Sequence, residues 1–178
     1  MDGLRGFLRV ETRDLHERLD GIIGTFASMA DYDRFLIGSF RHRLPVEQAL
    51  AGLVRTVSVR RMEPELRRDL ADRELSEPAT ERLVLSNDMA SALGATYVLE
   101  GSALGARVLV KSAAALGMSA THGAHYLSAQ AASMAAWREL LALLDQVDAS
   151  SWERAAGAAR AVFDHAIQAF SSRELPAA

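Results

Sequence analysis

Cysteine is absent from this chain of 178 residues, which removes disulfides, zinc–thiolate sites, iron–sulfur clusters and thiol nucleophiles at once. Lysine is nearly absent too: every basic residue except Lys111 is an arginine. Genome composition accounts for such a bias, and arginine is also the cation best suited to gripping carboxylates. Charge of one sign is in short supply, since the net charge is only −3, so no nucleic-acid or anionic-membrane partner is expected. No uncharged apolar run reaches membrane-spanning length, and the charged stretch LRGFLRVETRDLHERLD starts too early for a signal peptide. A soluble, cytoplasmic protein is the expectation. Also missing are a P-loop, GxGxxG, GxSxG, HExxH and the paired Glu-x-x-His of di-iron bundles, which removes the nucleotide-binding, Rossmann and hydrolase classes.

Strand signals are scarce as well. The best of them, LVRTVSVR at 53–60, is short and solitary and reads better as the end of a helix. Apolar spacing is otherwise helical. Leu4, Leu8, Leu15, Leu19 and Ile22 form one stripe, predicting a single first helix. A second helix is predicted from Asp31, with Tyr32, Phe35, Leu36 and Phe40 inward, and Pro45 is expected to end it and open a third. Further helices are expected from Pro64, from Glu81 to Leu116, over WRELLALLDQV, and over SSWERAAGAARAVFDHAIQAF. SEPAT (76–80) is the clearest loop, DASS a cluster of N-cap residues, and Gly123 a turn. With an apolar share of 49% and a charged share of 24%, the composition is globular. The expectation is one all-α domain over 1–178, of seven or eight helices, with 171–178 as a frayed tail.

Two features stand out within this frame. His16 lies at the edge of the first stripe, beside Thr12 and Ile23, with Asp20 one turn on, where a carboxylate can fix the imidazole tautomer and leave the other nitrogen for a metal. Spacing alone equally allows a boundary histidine that does nothing more than pair with Asp20. Arg9 and Arg13 project from nearly the same side, either as a solvated charged face or as a clamp for the carboxylates of a ligand centred on His16. The HxxH pair, His122 and His125, reads as a surface feature. The second feature is YVLEGSALGARVLV (97–110), where Gly101 and Gly105 sit one turn apart, with Gly94 and Tyr97 close to the same line. Each interior glycine costs a helix about 1 kcal/mol. The return is either close packing of a second helix or a flat ligand lying against bare backbone, and spacing does not choose between them.

TRDLHERLD and YVLEGSALGARVL, some eighty residues apart, together resemble the bacterial branch of the haem oxygenase family, and RRDLADREL and WRELLALLD extend the likeness over nearly the whole chain. The resemblance implies an all-α fold with haem, both substrate and cofactor, between a proximal and a distal helix. It implies His16 as the iron ligand, Asp20 as its supporting carboxylate, and Gly101 and Gly105 as the distal backbone. Arg9 and Arg13 then match positions that meet the haem propionates, and Thr12, Tyr97 and Lys111 are further candidate contacts. Ser102 falls where animal-type members carry an aspartate that organises distal water. The implied reaction opens haem to biliverdin, Fe²⁺ and CO with O₂ and an external electron donor, a protein or a small reductant, and a biliverdin acceptor would be a further partner. The alternative is a non-catalytic haem carrier or sensor on the same fold, kept open by Ser102. A third reading has Gly101 and Gly105 packing helices in a protein that binds no haem.

Overall fold

The computed structural model describes residues 3–53, 59–132 and 134–172. Among them are eight α-helices, α1 (Gly3–Glu11), α2 (Arg13–Ile23), α3 (Met29–Ala51), α4 (Glu63–Asp72), α5 (Met89–Ala115), α6 (His125–Ala131), α7 (Met134–Leu144) and α8 (Trp152–Ser171), with a 3-10 turn at Ala149–Ser151. Apart from two isolated bridges around Ser119–Gly123, no β-pairing occurs among the described residues. The all-α expectation holds. Most of the segment 53–60 and of the tail 171–178 lies outside the described residues.

Local chemistry sets the helix boundaries. Ser28 and Asp31 form a reciprocal capping box at the start of α3, and Asp88 caps α5 by accepting the amide and hydroxyl of Ser91 at 3.0 and 2.8 Å. The expected start of that long helix at Glu81 is therefore wrong by eight residues, because the Ser86–Asn87–Asp88 turn supplies the cap. The single first helix is in fact two. Thr12 (φ −116°, ψ 3°) interrupts it, and its buried hydroxyl donates to the Leu8 carbonyl at 2.8 Å. Conversely, Pro45 does not divide α3, which runs through it. Proline in a helix interior removes one hydrogen bond and costs about 3 kcal/mol. Burial of Leu44, Pro45, Val46 and Leu50 on the same stretch offsets that cost.

The core falls into two clusters. One gathers Leu4 and Leu8 of α1, Val46 and Leu50 of α3, the first three turns of α5, α7 and much of α8. The other gathers Phe26, the first half of α3, α4, Ala106 and Ala113 of α5, and α6. Helices α5 and α3 run through both. Helix α2 has no buried residue of its own: Leu15 and Leu19 are half-buried, and Ile22 is exposed rather than part of the apolar stripe. An amphipathic helix whose apolar face is only partly covered by protein marks the wall of a space.

Candidate functional site

That space is a cavity of about 780 Å³ between α2 and α5, closed by α3, α6 and α8 and rimmed by α1. Of the residues singled out in the sequence, Arg9, Thr12, Arg13, His16, Asp20, Tyr97, Gly101, Ser102 and Gly105 all line it. Lys111 does not. Six residues beyond Gly105, it is rotated by about 240° around the helix axis, and its side chain is in solvent.

On the α2 wall, His16 Nδ1 lies 3.0 Å from Asp20 Oδ2, with the imidazole 60% exposed. A carboxylate accepts, so Nδ1 carries the hydrogen and Nε2 keeps its lone pair for a metal. The Phe163 ring meets the imidazole edge-on at 5.8 Å. Thr12 is buried with its hydroxyl committed to the Leu8 carbonyl, so it shapes the wall and does not offer that hydroxyl hydrogen to a ligand. Arg9 and Arg13 are exposed at the rim, and Arg13 reaches Asp14 at 3.7 Å. The sequence reading missed Arg5, one turn before Arg9, which lines the same rim. Arg5 and Arg9 make no ion pair among the described residues. Both lower the proton affinity of the Tyr97 phenol, although burial raises it more. Guanidinium groups beside a half-buried phenol suit a carboxylate-bearing ligand.

On the opposite wall the three glycines separate. A Cβ on Gly94 would sit 1.9 Å from the Ala155 carbonyl oxygen, so Gly94 exists to let α5 and α8 touch. A Cβ on Gly105 would meet nothing within 4 Å; it would project into the cavity. Gly101 is intermediate, its Cβ being in ordinary contact with Trp137 at 3.6 Å, and Trp137 in turn packs against Tyr97 at 5.6 Å. Both meanings of glycine spacing are thus present in one helix, at different positions. Leu104 and Val108, half or more exposed, flank Gly105 at the cavity edge.

Beyond the glycines the wall is polar in a way the sequence concealed. Ser102 donates to the Leu99 carbonyl and accepts from the Gln130 side-chain amide. Arg43, only 2% exposed, binds Glu47 at 2.7 Å and the Arg60 carbonyl at 3.1 Å, while Glu47 also accepts the Met62 amide at 2.8 Å. Burial raises the Tyr126 phenol, and the Arg43 guanidinium opposes that shift. Arg43, Tyr126 and Gln130 all line the cavity. Helical periodicity places Arg43 on an otherwise apolar face of α3, which was the available signal.

His125 is not the surface residue expected. Its Nδ1 lies 2.8 Å from Asp69 Oδ1, and fully buried Asp69 also accepts the amides of His125 and Tyr126, each at 2.8 Å. Asp72 adds the Gly123 amide at 2.7 Å. These three side chains are close enough together to suggest a metal site, but the carboxylates are occupied in fastening the start of α6. His122 does sit at the surface, 3.5 Å from Asp72.

The site is thus a helix-walled slot with a metal-competent imidazole at His16, a cationic rim and a bare-backbone wall, as in an all-α protein that holds a flat metal complex. No family model matches the chain. It is 32% identical over 157 residues to haem oxygenase PigA of Pseudomonas aeruginosa, covering 82% of this chain and 79% of that one. In structure it is similar to the NO- and CO-bound haem oxygenase of Neisseria meningitidis, with a TM-score of 0.75 at 21% identity over 99% of this chain and 98% of that one. The chain belongs to the haem oxygenase family.

Proposed function

We propose that this enzyme binds haem in the slot between α2 and α5 and opens it oxidatively to biliverdin, Fe²⁺ and CO, with O₂ and electrons from an external donor. The observation that carries the reading is the pairing of His16 with Gly105 across one cavity: a nitrogen lone pair oriented by Asp20 on one wall, and on the other a position where any Cβ would enter the space. His16 would hold the iron through Nε2, Asp20 would keep the tautomer, and Arg5, Arg9 and Arg13 would receive the propionates. The chemistry itself belongs to haem, which supplies the redox centre and the carbon that is oxidised. The protein orients haem, excludes bulk water and holds a proton near the oxygen.

For that last task the Gln130–Ser102 contact offers a reason why serine suffices at position 102. Ser102 is already tied to the Leu99 carbonyl and Gln130, and α3 and α6 bring further polar groups, Arg43 and Tyr126, to the same cavity. Arg43 is itself held by Glu47 at 2.7 Å, and a buried hydrogen-bonded pair of this kind keeps its geometry while substrate enters.

Adding haem to the purified protein should give a one-to-one complex with a shifted Soret band, and supplying O₂ and a reductant should release a bilin. His16→Ala should abolish the ligated spectrum while leaving the helical content unchanged. A His16→Ala protein with the wild-type Soret band and turnover would remove His16 from the role. Stable haem binding without bilin release would turn the reading to a carrier.

A further inference from the structure

His42 of α3 and His165 of α8 have no role in the proposal above, yet His42 lines the same cavity. Their Nδ1 atoms are 3.3 Å apart, and His165 Nε2 lies 3.3 Å from the Glu81 carbonyl oxygen, in the segment leading to α5. A carbonyl only accepts, so His165 Nε2 carries the hydrogen. With both rings neutral, His165 Nδ1 is then a lone pair, and the hydrogen between the rings belongs to His42 Nδ1. The direction of this chain is fixed at its outer end, and the same end fixes the inner one: His42 Nε2 has no hydrogen. Burial, then His165, then the Arg43 guanidinium push the His42 imidazole down to about 3. The histidines that pair with carboxylates are His16, His122 and His125, not these two.

We infer that His42 is a hydrogen-bond acceptor built into the wall of the haem slot, its tautomer locked by His165 and the Glu81 carbonyl, and that its ligand is an ordered water that donates to His42 Nε2. Haem itself offers no hydrogen there: its carboxylates only accept, its ring nitrogens carry no hydrogen once they hold a metal, and its iron is the one assigned above to His16. A water that gives one hydrogen to Nε2 keeps the other for the slot. His42 thus turns part of an aromatic wall, with Phe35 and Phe170 nearby on the same cavity, into a place where a hydrogen-bond donor faces the substrate. Ser39, one turn before His42, is buried and lines the cavity as well. His42 is a positioning residue for that water, and His165 positions His42. The water's role in turnover rests on the haem reading; the tautomer lock does not.

Ring-¹⁵N-histidine protein, free of haem and at neutral pH, tests the lock directly through two-bond ¹H–¹⁵N correlations. His42 should show a protonated Nδ1 and an unprotonated Nε2, and His165→Phe should shift His42 toward the opposite tautomer. A His42 ring that is charged, or protonated on Nε2, in the wild type overturns the inference. A crystal structure of the wild type should place a water within about 3.2 Å of His42 Nε2; an empty position, or a protein donor there, also overturns it. In the haem complex, loss of one water-mediated hydrogen bond in His42→Phe should slow turnover by about fivefold, with the haem stoichiometry kept, and His42→Gln, which retains an acceptor, should recover most of it. Wild-type turnover in His42→Phe refutes the assigned role. If the wild type binds no haem, the haem reading fails, while the ring spectrum still decides the lock.

Discussion

Glycine at positions 94, 101 and 105 shows how the same residue serves three surroundings on one helix. Gly105→Ala adds helix propensity worth about 1 kcal/mol and meets no protein atom. Its melting temperature should therefore match or exceed that of the wild type, while haem affinity and turnover fall. Gly94→Ala should do the reverse. Its methyl would collide with the Ala155 backbone, and forcing α5 from α8 should cost 1–3 kcal/mol or more, on the order of other overpacked cores. Thermal melts and haem titrations of the two variants, side by side, test the assignment. Asp20 acts through His16, so Asp20→Ala should retain the histidine-bound spectrum but weaken haem affinity by roughly 10–100-fold, the usual effect of losing a partner that orients a metal ligand. A titration followed in the Soret region reads that change. The pairs His16–Asp20 and Gly101–Gly105 are visible in the sequence because each depends on spacing within its own helix. The places of Arg43 and His42 in the slot are not, because beyond Glu47 on α3 itself their partners come from α6, α8 and the chain before α4.

Helix α5 carries the glycine wall, and its start is set by one side chain. Burial pushes the Asp88 carboxyl up, but the amide and hydroxyl of Ser91 and the charge of Arg154 leave it below the ordinary value of 3.8. A carboxyl depressed by folding stabilises fully above its unfolded value, and that contribution fades as pH falls through the folded one. Asp88→Ala should thus lose about 1 kcal/mol near neutral pH, and the gap to wild type should narrow below pH ~4; denaturant melts at the two pH values measure it. Two other boundaries show why local signals are incomplete guides to elements. Pro45 is a helix breaker by its own chemistry, yet burial on α3 holds the helix together through it. Thr12 is a modest helix former by propensity, yet its hydroxyl bond to Leu8 accompanies a break.

Over the whole molecule, the cavity lies where the two core clusters meet, and α2 covers it with an apolar face that no protein atom fully buries. The Arg43–Glu47 pair ties α3 to the chain entering α4 through the Arg60 carbonyl and the Met62 amide. Removing one member of a buried pair leaves the other charge stranded, so Glu47→Ala should destabilise the protein by about 3–5 kcal/mol, a large share of the 5–15 kcal/mol typical of whole proteins. Chemical denaturation with and without haem tests this, since a ligand at about 100 times its Kd should restore roughly 2.7 kcal/mol by mass action. Among the described residues no helix is long and apolar enough to cross a membrane.

What the sequence by itself determined is the helical class, the stripes that become the two core clusters, and the spacing of His16 to Asp20 and of Gly101 to Gly105. All of these are set within a few turns of one helix, where geometry follows from residue number alone. Only the tertiary structure decided which glycine packs and which opens the slot, that Lys111 lies outside it, that Arg5 joins its rim, and that Arg43, Tyr126, Gln130 and His42 line its polar wall. Those outcomes depend on which helix lies opposite, and the approach of two helices is fixed by the packing of the whole core.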